Sequence, residues 1–204
     1  MARRRPLSPS QFLAFSFAGI ILAGGVLLSL PFAAAPGRHV SILDAFFTSV
    51  SAVCVTGLIS VDTPVDLSLF GQIVVLLLIQ AGGLGYMTLS TVFAAALGRS
   101  VTLQERLTLQ EALNVQNMEG LVRFARTVLR LTLAFELAGA LILALNWWPT
   151  LGLGRALWYG LFHAVSAFNN AGFALWSDSL ISWRGDVVVN AVTFIGRPSR
   201  IAYG

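Results

Sequence analysis

The chain has 204 residues, of which 11% are charged and 56% hydrophobic, and its mean hydropathy is +0.79. Soluble domains average about 25% charged residues, so this balance excludes an ordinary soluble domain and points to a membrane protein. The net charge of +4 comes from arginines at the ends of apolar runs, which excludes the basic face of a nucleic-acid binder, and the single cysteine, Cys54, leaves no disulfide framework.

Residues 1–11 carry Arg3, Arg4 and Arg5 and read as a cytoplasmic N-terminus. From Phe12 to Phe32 runs an apolar segment, and about 20 such residues cross a hydrocarbon core of about 30 Å. With Ala33-Ala34-Ala35 behind it, the run resembles a secretory leader, but it exceeds the usual apolar region of about 7–15 residues. A retained helix is therefore expected. Pro36-Gly37-Arg38 then turns the chain on the far side.

Residues 46–58, Phe46 to Leu58, read as a short amphipathic helix running into a glycine-bearing extended loop. A loop that re-enters a membrane must satisfy its own backbone, because hydrocarbon offers no partners. Pointing its carbonyls at a dehydrated cation is one way to use such a loop. Cys54, Val55, Thr56 and Gly57 are thus candidate cation ligands through the backbone, with glycine where a side chain would block the path. Beyond them Asp62 and Asp66 either raise the cation concentration at an outer mouth or are ordinary solvated carboxylates.

A second apolar segment, Leu67 to Leu97, completes a first unit over 12–97. It contains Gly82, Gly83 and Gly85, which lack the Lys-Ser/Thr of a phosphate loop. Close helix packing is their expected role, with a break or gate as the other reading. Residues 98–126 are polar and read as a cytoplasmic linker with an amphipathic helix that lies on the bilayer or docks a soluble partner. Arg3–Arg5 and Arg99, Arg106, Arg123, Arg126 and Arg130 then fall on one side of the membrane, which the positive-inside rule makes cytoplasmic.

The second unit is expected over 127–196, with Trp147-Trp148-Pro149 as an interfacial anchor. Glu136 is an intramembrane carboxylate, either functional or a polar contact to a neighbouring helix. A membrane enzyme needs clustered ionisable groups, and Glu136 with His163 is too thin a set. His163 itself is read as a structural hydrogen-bonding residue. A shift of 115 residues, the separation of Gly57 and Gly172, lays Phe47-Thr48-Ser49-Val50-Ser51-Ala52 on Phe162-His163-Ala164-Val165-Ser166-Ala167. Asn169, Asn170, Ala171 and Gly172 then form the counterpart of the first loop. The same shift lays apolar run 13–30 on 128–145, and a repeat of this kind decides the architecture.

Phe47 to Leu58, the Gly82-Gly83-Leu84-Gly85 patch, Phe168-Asn169-Asn170-Ala171-Gly172-Phe173 and the opening Leu7-Ser8-Pro9-Ser10-Gln11 resemble the Trk/Ktr/HKT cation transporters, most of all the bacterial KtrB (TrkH-like) branch. The resemblance implies an all-α integral membrane fold of parallel helix–pore-loop–helix repeats, of which this chain holds two of four. It implies potassium uptake at the bacterial inner membrane, no bound cofactor beyond the transported K+, no enzymatic activity, a homodimer and a cytosolic nucleotide-binding regulatory subunit. Gly57 resembles the potassium-permeable type. After Gly196 the sequence Arg197-Pro198-Ser199-Arg200 does not fit a span, so 197–204 is an aberrant tail and a truncated or frame-shifted product is expected. Two filter strands cannot surround an ion, so a half-length, non-conducting subunit that assembles with a complete transporter is the alternative.

Overall fold

The computed structural model describes residues 9–96 and 118–195. Every regular element among them is helical: α1 (Pro9–Leu28), α2 (Ile42–Val53), α3 (Thr63–Asp66), α4 (Leu69–Ala96), α5 (Met118–Leu151), α6 (Leu153–Phe168) and α7 (Val187–Ile195), with 3-10 turns at Pro31–Ala33 and Ile181–Trp183. The linker sequence up to residue 117, the tail 197–204 and the N-terminal arginines lie outside the described residues.

α1 starts with Pro9, whose missing N–H is no loss in a first turn, and stops before Pro31. Its 20 residues reach about 30 Å. The exit of α1 is tied to the entry of α4. The Ala35 N–H donates to the Asp66 carbonyl at 2.8 Å, and the Ser68 N–H to Ala33 at 2.9 Å. Asp66 also accepts from the Asp62 N–H at 2.8 Å and lies 3.8 Å from Arg38, so this carboxylate closes a local turn.

α2 begins at a Ser41 cap, whose Oγ accepts the Asp44 N–H at 3.1 Å while donating to the Asp44 carboxylate at 2.6 Å. At 12 residues it spans about 18 Å and is too short to cross a bilayer. Its buried face carries Ala45, Thr48, Ser49, Ala52 and Val53. Small groups on both sides let α1 come close: a methyl group on Gly24 would sit 2.5 Å from Ser49 Oγ, which donates to the Ile21 carbonyl at 2.8 Å.

The second half also sets a short helix against a long one. α5 packs along α6, and a methyl group on Gly160 of α6 would come within 2.5 Å of the Ala140 carbonyl oxygen. α7 is capped by Asp186, whose Oδ1 accepts from the Val188 and Val189 N–H groups at 2.8 and 3.0 Å, while Asn146 of α5 donates to its other oxygen at 2.8 Å. The Asn146 amide first, then the Val189 N–H, holds this carboxyl below its usual range. The cap is thus fully formed above the ordinary carboxylate pKa and is lost as pH falls through the lowered one.

α5 begins at Met118, inside the sequence expected as a helix-bearing linker, and its apolar part opens at Arg126, beside the expected start of the second unit at 127. One expectation is corrected. Trp147 is not an interfacial anchor; it is fully buried, 5.2 Å from the His163 ring and 5.4 and 5.6 Å from those of Trp176 and Trp183. Trp148, beside it, is the exposed one. Trp147→Ala is expected to cost about 3–5 kcal/mol and lower the thermal midpoint in detergent sharply. An unchanged midpoint would mean that the aromatic cluster does not hold α5 to α6.

Outside these contacts the long helices are apolar and uncovered. Arg126–Leu151 is long and apolar enough to cross a membrane, and Leu133, Phe135, Leu137, Leu141 and Leu145 stand exposed along it. Exposed leucine on this scale suits lipid and not water.

Candidate functional site

Both short helices end in the same backbone geometry. Cys54 caps α2 and Asn169 caps α6, with φ, ψ of −81°, −1° and −82°, 0°. The next residues, Val55 and Asn170, are both left-handed at φ 55°, and two residues on Gly57 and Gly172 lie at 73° and 76°. Three successive N–H groups turn back onto the helix in each case. Cys54, Val55 and Thr56 donate to Val50, Ala52 and Ser51 at 2.8, 3.3 and 3.0 Å. Asn169, Asn170 and Ala171 donate to Val165, Ala167 and Ser166 at 3.1, 3.1 and 2.8 Å. Each of these bonds recurs at an offset of 115 residues.

In a trans peptide the N–H and the preceding C=O lie in one plane and point in opposite directions. When the N–H groups of Val55 and Thr56 face the helix, the carbonyls of Cys54 and Val55 must face away from it. The same holds for Asn169 and Asn170. The alternation of left- and right-handed residues thus leaves a short row of carbonyls directed away from a helix C-terminus, which itself carries about half a negative charge. Such an arrangement attracts a cation. A left-handed β-branched Val55 is costly, and strain of this kind is kept where a backbone must hold a ligand geometry.

The two glycines meet. A methyl group built on Gly57 would lie 2.7 Å from the Ala171 carbonyl oxygen and 3.1 Å from the Gly172 Cα; one on Gly172 would lie 3.1 Å from the Gly57 Cα. The loops therefore run side by side, and both positions need glycine for space as well as for φ. Thr56 Oγ1 leans back to Ser51 Oγ at 3.0 Å, so its side chain braces the loop. Cys54 and Asn170 are exposed, while Ala171 and Asn169 are buried.

The three glycines of α4 lie in an unbroken helix, each against a different element. A Cβ on Gly82 would overlap the Val53 carbonyl, one on Gly83 the Asn169 side chain, and one on Gly85 would sit 2.7 Å from the Phe17 ring. Glu136 is buried on α5 and accepts from Asn169 Nδ2 at 3.0 Å. His163 Nε2 accepts the Leu175 N–H at 3.2 Å, so the proton sits on Nδ1 and is donated to the Tyr159 carbonyl at 2.7 Å. Among the described residues no group of His, Cys, Asp and Glu could hold a metal ion with side chains.

Sequence reasoning missed two braces. Ser166 Oγ donates to the Phe173 carbonyl at 2.6 Å, and Gln80 Oε1 accepts from Asn169 at 3.4 Å. Ser51 and Ser166 coincide in the 115-residue alignment, which was a signal for the first; Gln80 was visible only as a lone amide in an apolar run.

Residues 19–196 match the family model described as TrkH, cation transport protein. The chain is 44% identical over 189 residues to the Ktr system potassium uptake protein B of Bacillus subtilis, covering 92% of this chain and 42% of that protein. It is 38% identical over 197 residues to the potassium/sodium uptake protein NtpJ of Enterococcus hirae, covering 95% and 44%, and 41% identical over 180 residues to the Ktr system potassium uptake protein B of Vibrio alginolyticus, covering 88% and 39%. The chain thus spans less than half the length of the curated relatives it matches. With its helical architecture and uncovered apolar faces, it belongs to the TrkH family of membrane cation transport proteins, which are transporters and not enzymes.

Proposed function

We propose that this chain supplies two strands of a potassium-selective pathway across the bacterial inner membrane, and that α2 and α6 are the pore helices behind them. Cys54–Gly57 and Asn169–Gly172 act as the filter strands, replacing water around the ion with backbone carbonyls. The observation that carries this reading is the recurrence of one loop geometry, left-handed residues and returned N–H groups included, at two loops whose glycines touch. Non-helical backbone at membrane depth is tolerated where it is buried in protein or lines a water-filled path.

Two strands cover part of an ion's surroundings, so further strands must come from additional units of the same architecture. A parallel repeat, α1-α2-α4 followed by α5-α6-α7, with the arginine-rich ends inside, is the arrangement this requires. A second copy of the transporter and a cytosolic nucleotide-binding regulator are the partners proposed for it. Gly57 marks the path as permeable to potassium.

The test is rescue of a bacterium lacking its own potassium uptake. The complete gene is expressed, and growth at limiting potassium and rubidium tracer uptake are read. Growth and saturable uptake that exceed sodium uptake are expected. Membrane insertion without any cation uptake would overturn the conducting reading and leave the non-conducting partner of a complete transporter.

A further inference from the structure

The two loops share a backbone geometry but not their support. Asn169, at the end of α6, turns its side chain away from the loop and into the protein. Its Nδ2 bonds the Val165 carbonyl at 2.9 Å and Glu136 Oε1 at 3.0 Å, and reaches Gln80 Oε1 at 3.4 Å. Gly83 of α4 packs directly on the same side chain. In the first half the equivalent positions hold Cys54, which is exposed, and Ile21, which has no polar side chain. Among the described residues, the second loop alone is tethered by a buried carboxyl.

A carboxyl in a membrane span is costly to insert, so its retention needs an interaction that uses it. Glu136 belongs to α5, Asn169 to α6 and Gln80 to α4, so the three side chains join both halves at the base of one loop. Holding Asn169 by its side chain restrains its peptide plane, and with it the direction of the Asn169 carbonyl. From this geometry we infer that Glu136 is a positioning residue for the second loop: through Asn169 it holds the carbonyls of 169 and 170 at the spacing that distinguishes potassium from sodium. This inference rests on the filter reading above.

The experiment compares wild type with Glu136→Ala, Asn169→Ala, the double variant and Glu136→Gln in the same uptake-deficient cells, with membrane-inserted protein quantified. The readout is the ratio of potassium to sodium uptake, which reduced folding alone leaves unchanged. Each alanine variant is expected to lower the ratio by about tenfold, the effect of one lost hydrogen bond that leaves its buried partner unpaired. The double variant should be no worse than either single one, and Glu136→Gln, whose amide oxygen still accepts from Asn169, should stay within about twofold. Unchanged ratios in both alanine variants, or full additivity, would overturn the inference; loss in Glu136→Gln would overturn it too, by assigning the effect to charge. Should the alanine variants fail to insert, Glu136→Asp decides, because it keeps the carboxyl but withdraws it from Asn169. A fall in its ratio supports the inference and an unchanged ratio overturns it. Absence of uptake by wild type would instead remove the filter reading itself.

Discussion

Gly57→Ala is expected to abolish potassium-dependent growth and tracer uptake, and Gly172→Ala to do the same. Two costs coincide at each position. The backbone is left-handed, at φ 73° and 76°, which charges any L side chain about 1–2 kcal/mol. Space is the larger obstacle, since the Gly57 methyl would stand 2.7 Å from the Ala171 carbonyl oxygen and between the two strands. The strands must then separate or turn a carbonyl, and either change spoils a coordination geometry. Gly37→Ala separates the two costs: its φ is 76°, yet nothing lies within 4 Å of the added methyl. That variant should lose about 1 kcal/mol of stability and keep its uptake. Unchanged growth with Gly57→Ala would remove Gly57 from the proposed filter.

Gly82→Ala is expected to prevent accumulation of folded protein. The added methyl would overlap the Val53 carbonyl and lie 2.7 and 2.9 Å from the Val53 carbonyl carbon and Cα. These are backbone atoms at the last turn of α2, and they cannot rotate aside as a side chain would. Overpacking usually costs about 1–3 kcal/mol, and a clash of helix backbone against helix backbone belongs above that range. The measurement is the monodisperse fraction after detergent extraction, with Gly19→Val as control because Gly19 has nothing within 4 Å. A normal yield of monodisperse Gly82→Ala would refute the close-packing role and favour a helix that can bend there.

Much of this protein was legible in the amino-acid sequence because its signals are local. A run such as 128–145 is apolar by composition alone, whatever it packs against, and Arg126–Leu151 is long and apolar enough to cross a membrane. The pairing of Phe47–Ala52 with Phe162–Ala167 carried the 115-residue recurrence, while Phe47 to Leu58, the Gly82–Gly85 patch, Phe168 to Phe173 and the opening Leu7–Gln11 carried the family, to which the chain does belong. Helix borders were less legible: nothing local separates a polar linker helix from the span it continues into, and α5 runs through from Met118.

What the tertiary structure decided is who faces whom. An intramembrane Glu136 announces a partner but does not name it, and the partner is Asn169, 33 residues away on the next helix, with Gln80 of α4 reaching the same amide. Trp147 and Trp148 are equivalent as a dipeptide, yet the helical turn buries one among His163, Trp176 and Trp183 and leaves the other exposed. Gly82, Gly83 and Gly85 share one patch but serve Val53, Asn169 and Phe17 on three different elements. Periodicity and composition are properties of the chain itself, whereas contacts between helices depend on rotation and crossing, which only the packed structure determines.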